Sequence, residues 1–192
     1  MKLLFLSLFF PFLQSTQTTP ASVNVYWTND SGMQQNNVIY YDPALQLEWP
    51  DFKGEPGPAS PVAAITTSGF GYKANMRSAN GKAQINIGVY CFFNKDKSWV
   101  RQGKSTSYIL NHEQHHFDVS YIAANLFIER VRNTSLTYEE CNVVLPKIYR
   151  ECCDVMNKMQ NDYDGETENG QIEKVQEKWN RFFSEKLPLL TR

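Results

Sequence analysis

Strict alternation of apolar and polar positions is strongest near the middle of the chain. Ile85, Ile87, Val89, Cys91 and Phe93 alternate with Gln84, Asn86, Gly88, Tyr90 and Phe92. Period two puts one set of side chains on each face of a strand, so residues 84–93 predict a strand with one buried face. Residues 64–72 are rich in β-branched and small side chains and predict a second strand. Asn80-Gly81, a turn dipeptide suited to left-handed backbone, lies between the two, so residues 64–94 predict an antiparallel hairpin. Weaker strand patterns precede it at residues 23–27 and 38–41. In a third segment Leu45, Leu47 and Trp49 alternate with Gln46 and Glu48, which predicts one buried face. Residues 55–61, rich in Pro, Gly and Ser, predict a loop.

The period then changes. Ser105, Thr106 and Ser107 offer N-caps to a helix running to about Arg132. His112, His116, Val119, Ala123 and Leu126 share one side of it; Leu110, Phe117, Ala124 and Ile128 lie roughly opposite. A helix apolar on two sides belongs in the middle of a domain. A second helix is predicted from Thr137, capped there with Glu140 three residues on, to about Asp162, with Pro146 kinking or splitting it. Residues 162–170 predict an acidic loop. Residues 171–186 predict a last amphipathic helix with Ile172, Val175, Trp179, Phe182 and Phe183 inward. The expected fold is α+β: a mostly antiparallel N-terminal sheet, a buried helix, then further helices, in one domain spanning residues 19–192.

Composition narrows the function classes. At 192 residues, 42% hydrophobic and 14% aromatic, the chain is long enough and apolar enough to build a core. A net charge of -1 without a basic stripe argues against nucleic acid as a partner. Residues 1–18 resemble a secretory signal: Lys2, a short apolar run broken by Pro11, then a polar stretch. That run falls short of the ~20 residues a bilayer requires. The expectation is therefore a secreted or periplasmic protein with no transmembrane segment in its mature chain. Cys91, Cys141, Cys152 and Cys153 are an even count, compatible with disulfides and equally with buried thiols; adjacent Cys152 and Cys153 are poorly placed to pair with each other.

All three histidines fall within the predicted buried helix, in His112-Glu113-Gln114-His115-His116. This is the pattern HExxH. Residues four apart on a helix share a face, so two imidazoles can reach one Zn2+, while the intervening glutamate stands beside the open coordination position as a base for water. Burying such residues without partners would cost several kcal/mol. A third ligand must come from elsewhere, as a carboxylate, an amide or a tyrosine. The 162–170 segment is the place to look, with Glu166 favoured over Asp164. His115 is expected outside the ligand set, and Asp118 is expected to orient an imidazole from behind. Tyr108, Tyr121 and Tyr163 are candidate oxyanion donors, and the strand of residues 84–93 is a candidate sheet edge for an extended peptide.

The motifs Leu47-Glu48-Trp49-Pro50-Asp51-Phe52-Lys53-Gly54, Thr66-Thr67-Ser68-Gly69, Lys97-Ser98-Trp99-Val100, His112-Glu113-Gln114, His116-Phe117-Asp118, Tyr163-Asp164, Glu166-Thr167, Gly170, Gln176 and Trp179 span nearly the whole mature chain. In order and spacing they resemble a bacterial family, classed as a domain of unknown function, of predicted secreted zinc-dependent proteases. The resemblance implies a zincin-like fold, with His112 and His116 as zinc ligands and Glu113 as general base. The chain departs from that family's pattern at Asn169, where the family tends to carry a histidine, and at Tyr121 and Asn125. The expected function is an exported zinc metalloprotease acting on a protein or peptide substrate. Its rivals are a non-catalytic zincin-like binding module of the envelope, motivated by Asn169, and a zinc hydrolase of a non-peptide or cell-wall amide.

Overall fold

A computed structural model describes residues 21–57, 62–80 and 82–190. The signal-like residues 1–18, part of the 55–61 loop and Gly81 of the expected turn lie outside the described residues. The architecture is α+β, with six strands and three helices in the described chain: β1 (Ala21–Trp27), β2 (Val38–Tyr40), β3 (Ala64–Ile65), β4 (Ser68–Ala79), β5 (Lys82–Asn94), β6 (Trp99–Val100), α1 (Ser107–Arg132), α2 (Cys141–Thr167) and α3 (Glu173–Lys186).

The strand with the strictest alternation organises the sheet. Along one edge β5 pairs with β4 over its whole length, antiparallel. Along the other it takes β1, parallel, at residues 83–89, and then β2, antiparallel, at residues 92–94. The sheet is therefore mixed, and β5 lies at its centre with both edges covered. This corrects the expectation that residues 84–93 form an edge open to a peptide. The predicted 64–72 strand divides in two. Ala64 and Ile65 pair with β6, while Ser68 begins the long arm of the hairpin. Asn80, at φ 53°, supplies the left-handed residue that the hairpin turn needs.

Ile85, Ile87, Val89, Cys91 and Phe93 are all nearly inaccessible to solvent and meet Phe117, Tyr121, Ala124, Phe127 and Ile128 of α1. The opposite side of α1 presents Val119 and Ile122 to Tyr163 of α2 and Phe183 of α3. The two-sided apolar pattern of α1 thus reflects a helix held between a sheet and a helical pair. Thr106 caps it, accepting from Ile109 N at 3.2 Å. The predicted cap of α2 forms one turn early: Thr137 Oγ1 accepts from Glu140 N, and the helix itself starts at Cys141. It runs through Pro146 without dividing and continues to Thr167, five residues past the expected end. On α3, Phe183 is buried as expected, but Phe182 is exposed and the polar Gln176 is fully buried. Cys91, Cys141 and Cys152 are buried thiols in the core, and no disulfide is present among the described residues.

Residues 45–49 form no strand. Leu47 is buried and Leu45 is exposed, and a short 3-10 turn begins at Trp49. The segment is held instead by a side chain of α1: Gln114 Oε1 accepts from Leu47 N at 2.8 Å. The other end of the same amide donates to Asp118 Oδ1, which also accepts from Tyr41 Oη. Replacing Gln114 with Leu leaves a buried backbone N–H unpaired and removes one donor from a buried carboxylate. The expected loss is about 2–4 kcal/mol of unfolding free energy, read as a lowered urea midpoint with unchanged slope.

Candidate metal centre

His112 and His116 are one turn apart on the stretch of α1 that faces the end of α2, and both are largely buried. Asp164 reaches them from the last turn of α2. Its Oδ1 lies 3.2 Å from His112 Nε2 and 3.1 Å from His116 Nε2, and the two Nε2 atoms are 3.2 Å apart. Bonds of ~2.0–2.1 Å to a tetrahedral ion put its ligand atoms about 3.3 Å apart. The triangle is therefore the size of one face of such a coordination shell, and these three residues form a group able to hold a metal ion.

The far side of each imidazole settles which nitrogen faces the triangle unprotonated. His116 Nδ1 meets Gln160 Oε1, whose amide nitrogen donates to the His116 carbonyl at 2.9 Å. A carbonyl accepts and never donates, so the amide nitrogen must point there, its oxygen must face the ring, and Nδ1 carries the proton. His112 Nδ1 meets Gln176 Oε1 at 2.9 Å, and the Gln176 amide nitrogen donates to Tyr163 Oη and Asn180 Oδ1. In the neutral form of both rings, the two Nε2 lone pairs then converge on a carboxylate. Three acceptors so close repel unless a positive charge lies between them.

Glu113 is buried, and its Oε2 has no hydrogen-bond partner among the described residues. It lines the same cleft, of about 230 Å³, together with His112, His116, Asp164, residues 62–66 and Tyr108. A buried carboxylate oxygen without a donor is uncommon. Beside a metal-sized triangle it fits a water or substrate group that would donate to it. The residues present thus suit a metal ion such as zinc, with Glu113 at the open side.

Two expected site residues stand elsewhere. Because α2 extends to Thr167, residues 164 and 166 are about 200° apart around its axis. Glu166 accordingly points away, accepting from Trp179 Nε1 at 2.9 Å, and Asp164 occupies the place expected for it. Asp118 does orient an imidazole, but that of His115: Oδ2 lies 2.7 Å from His115 Nδ1. His115 reaches Asn180 with its other nitrogen and stacks on Phe183. The groups that orient His112 and His116 are Gln176 and Gln160. Gln176 belongs to the quoted motifs without a role, and Gln160, one turn before Asp164, stands outside them.

Of the three tyrosines only Tyr108 lines the cleft; its hydroxyl donates to Gly170 O at 2.6 Å. Tyr163 stacks under His112 and its hydroxyl turns to the His112 carbonyl and Gln176. Tyr121 stacks on Tyr41 and Trp27, within the sheet-side core.

Gly170 closes the wall behind His112. At φ +80° a side chain is strained, and a Cβ there would lie 3.2 Å from His112 Nδ1, crowding the bond to Gln176. If the site takes zinc, Gly170→Ala is expected to weaken that binding by roughly tenfold, as outer hydrogen-bond losses do, measured by competition with a colorimetric chelator.

Burial opposes a charge on His116, but Asp164, Glu113 and Gln160 outweigh it and hold the imidazolium pKa above its ordinary value. Burial likewise opposes the Asp164 carboxylate, yet the two histidines hold it well below the usual carboxylate range. A proton on His116 occupies the lone pair a metal needs, so proton and metal compete. Since the pKa is raised, metal affinity is expected to begin falling already above pH ~6.5, and below the His116 pKa by about tenfold per pH unit. Titrations of the zinc-binding isotherm against pH read this directly; flat affinity down to mildly acid pH contradicts it.

Compared with models of known families, with curated proteins and with solved structures, the chain matches none. Function has to be argued from the site itself.

Proposed function

We propose that the protein is a zinc-dependent metallopeptidase with a zincin-like active-site helix. The observation that carries this reading is the unpartnered, buried Glu113 Oε2 beside the three convergent acceptors of His112, His116 and Asp164. The motif resemblance points the same way. The proposed export from the cell rests on the pattern of residues 1–18.

A zinc ion at these three donors would supply Lewis acidity, polarising a scissile carbonyl and bringing the pKa of water toward ~7. Glu113 then has the two tasks of a general acid–base group: it takes the proton of the attacking water and returns it to the leaving amine. Its position is set from its backbone, since Thr66 Oγ1 donates to the Glu113 carbonyl at 3.1 Å. That bond also ties the helix to the segment bearing β3, whose residues line the cleft and whose Ile65 is exposed. β3 pairs on one edge with β6, so its cleft side is the place for an extended peptide to lie. Tyr108 lines the same cleft, and its hydroxyl would have to release Gly170 O before it could donate to a developing oxyanion.

The rival reading as a non-catalytic module drew on Asn169, where the resembled family has a histidine. With Asp164 within reach of both imidazoles, the donor count no longer depends on residue 169.

The test is a set of three variants assayed on casein, with metal content measured alongside. Purified protein is expected to hold about one zinc. Glu113→Gln should retain it while losing proteolysis by ~10²-fold or more. Asp164→Ala should lose metal and activity together, and Glu166→Ala should lose neither. A protein that takes up no zinc, or a Glu113→Gln variant as active as its parent, contradicts the proposal.

A further inference from the structure

The face of the sheet turned away from α1 carries a pattern with no part in the metal centre. Three glycines lie on it, each beside an aromatic residue of the neighbouring strand. The register sets Gly71 opposite Tyr90, Gly69 opposite Phe92 and Gly88 opposite Tyr26. A Cβ on Gly71 would come within 2.5 Å of the Tyr90 hydroxyl, one on Gly88 within 3.3 Å of the Tyr26 ring, and one on Gly69 within 3.4 Å of the Phe92 ring. At Gly71 only glycine leaves room for the ring over the adjoining backbone; Gly88 is held tightly between Thr28 and the Tyr26 ring, and Gly69 lies in ordinary contact with the Phe92 ring. A ring lying along a sheet turns its π-face outward. Tyr26 is 46% exposed, and Tyr90 and Phe92 are half-buried.

Beside the rings the same face becomes a row of amides. Asn24, Asn86 and Asn75 stand opposite one another across β1, β5 and β4, and Asn24 Nδ2 donates to Asn86 Oδ1 at 3.3 Å. Each amide offers two donors and an acceptor and none carries charge. The row repeats at the strand spacing of about 4.8 Å.

We propose that this face is a binding platform for a glycan, held by its pyranose rings. A pyranose has a flat face of C–H groups, whose slight positive charge suits the negative face of an aromatic ring. Its rim of neighbouring hydroxyls both donates and accepts, as the amide row does. A nucleic acid would also stack on such rings but would need cations beside them for its phosphates. Lys73, the nearest cation in register, is paired with Asp30 at 2.7 Å. Arg77 lies on the same face beyond the amide row, two residues past Asn75 and six past Gly71, so at the rise of a strand it is about 20 Å from the Gly71 end where Tyr90 and Phe92 lie.

The platform and the metal centre stand or fall separately. The test is cosedimentation of the full chain with insoluble chitin, cellulose and purified peptidoglycan sacculi, with single-stranded DNA on a filter as the comparison. The protein is expected to cosediment with at least one polysaccharide and not to be retained by DNA. Tyr26→Ala and Asn86→Ala should each weaken retention by about tenfold, the scale of one lost stacking or hydrogen-bonding contact. Tyr26→Phe, which keeps the ring, and Glu113→Gln should bind as the parent does. Circular dichroism checks that each variant is folded. Absence of binding to all three polysaccharides overturns the proposal, as do retention untouched by both alanine variants, loss with Tyr26→Phe, and binding to DNA alone.

Discussion

The site depends on the meeting of two imidazole lone pairs and a carboxylate oxygen within 3.2 Å of one another. Each is an acceptor, and together they require something positive in their midst. A single proton can serve two of them; a metal ion can bond to all three. What makes the arrangement more than an ion pair is the placement of Gln160 and Gln176, whose amide nitrogens are already committed to His116 O, Asn180 and Tyr163. Their oxygens therefore fix the tautomer of both rings from behind. An amide oxygen draws less on the imidazole N–H than a carboxylate would, so a ring that gave its Nε2 lone pair to a metal would do so as a neutral ligand.

Holding that geometry falls to α1. Its apolar residues on one side meet the sheet and on the other meet Tyr163 and Phe183, so the helix has no freedom to roll. Its carbonyls at the site turn take extra donors: Tyr163 at His112, Thr66 at Glu113, Ser68 at His116. The opposite wall is a tight reversal after α2, where Glu168, Asn169 and Gly170 are consecutively left-handed. The two non-glycine residues cost roughly 1–2 kcal/mol each in that conformation. Bonds from Asn169 N to Asp164 O and from Gly170 N to Thr167 Oγ1 offset this, and bring the Gly170 backbone against the His112 ring.

How much of this was legible depended on whether local order or long-range contact decided the matter. The β5 alternation, the Asn80 turn and the Thr106 cap are local signals, and each predicted its element. HExxH was legible because its meaning lies in spacing along one helix. Asp164 was not, because choosing between it and Glu166 requires knowing that α2 continues to Thr167. Once the segment is helical, two residues apart means opposite faces. Leu45, Leu47 and Trp49 alternate like a strand, yet the segment is held by Gln114, a partner 67 residues away. Asp118 suggested support for an imidazole, correctly in kind, but i to i+3 geometry gave it His115 and left His112 and His116 to glutamines on other helices.

Metal binding would join α1 to the end of α2, a tie across about fifty residues, but that junction is already packed through Val119, Ile122, Tyr163 and Phe183. His116 Nε2 lies 3.1 Å from Asp164 Oδ1, and when His116 carries a proton that contact joins the same two elements, in agreement with the raised His116 pKa and the lowered Asp164 pKa. A site on elements packed through contacts of their own would lose little order on taking an ion, unlike small domains that fold only with their metal. The remaining freedom lies with Asp164, whose side chain is 40% exposed while both imidazoles are largely buried. The carboxylate is thus the most exposed of the three groups, and it lines the cleft together with Glu113.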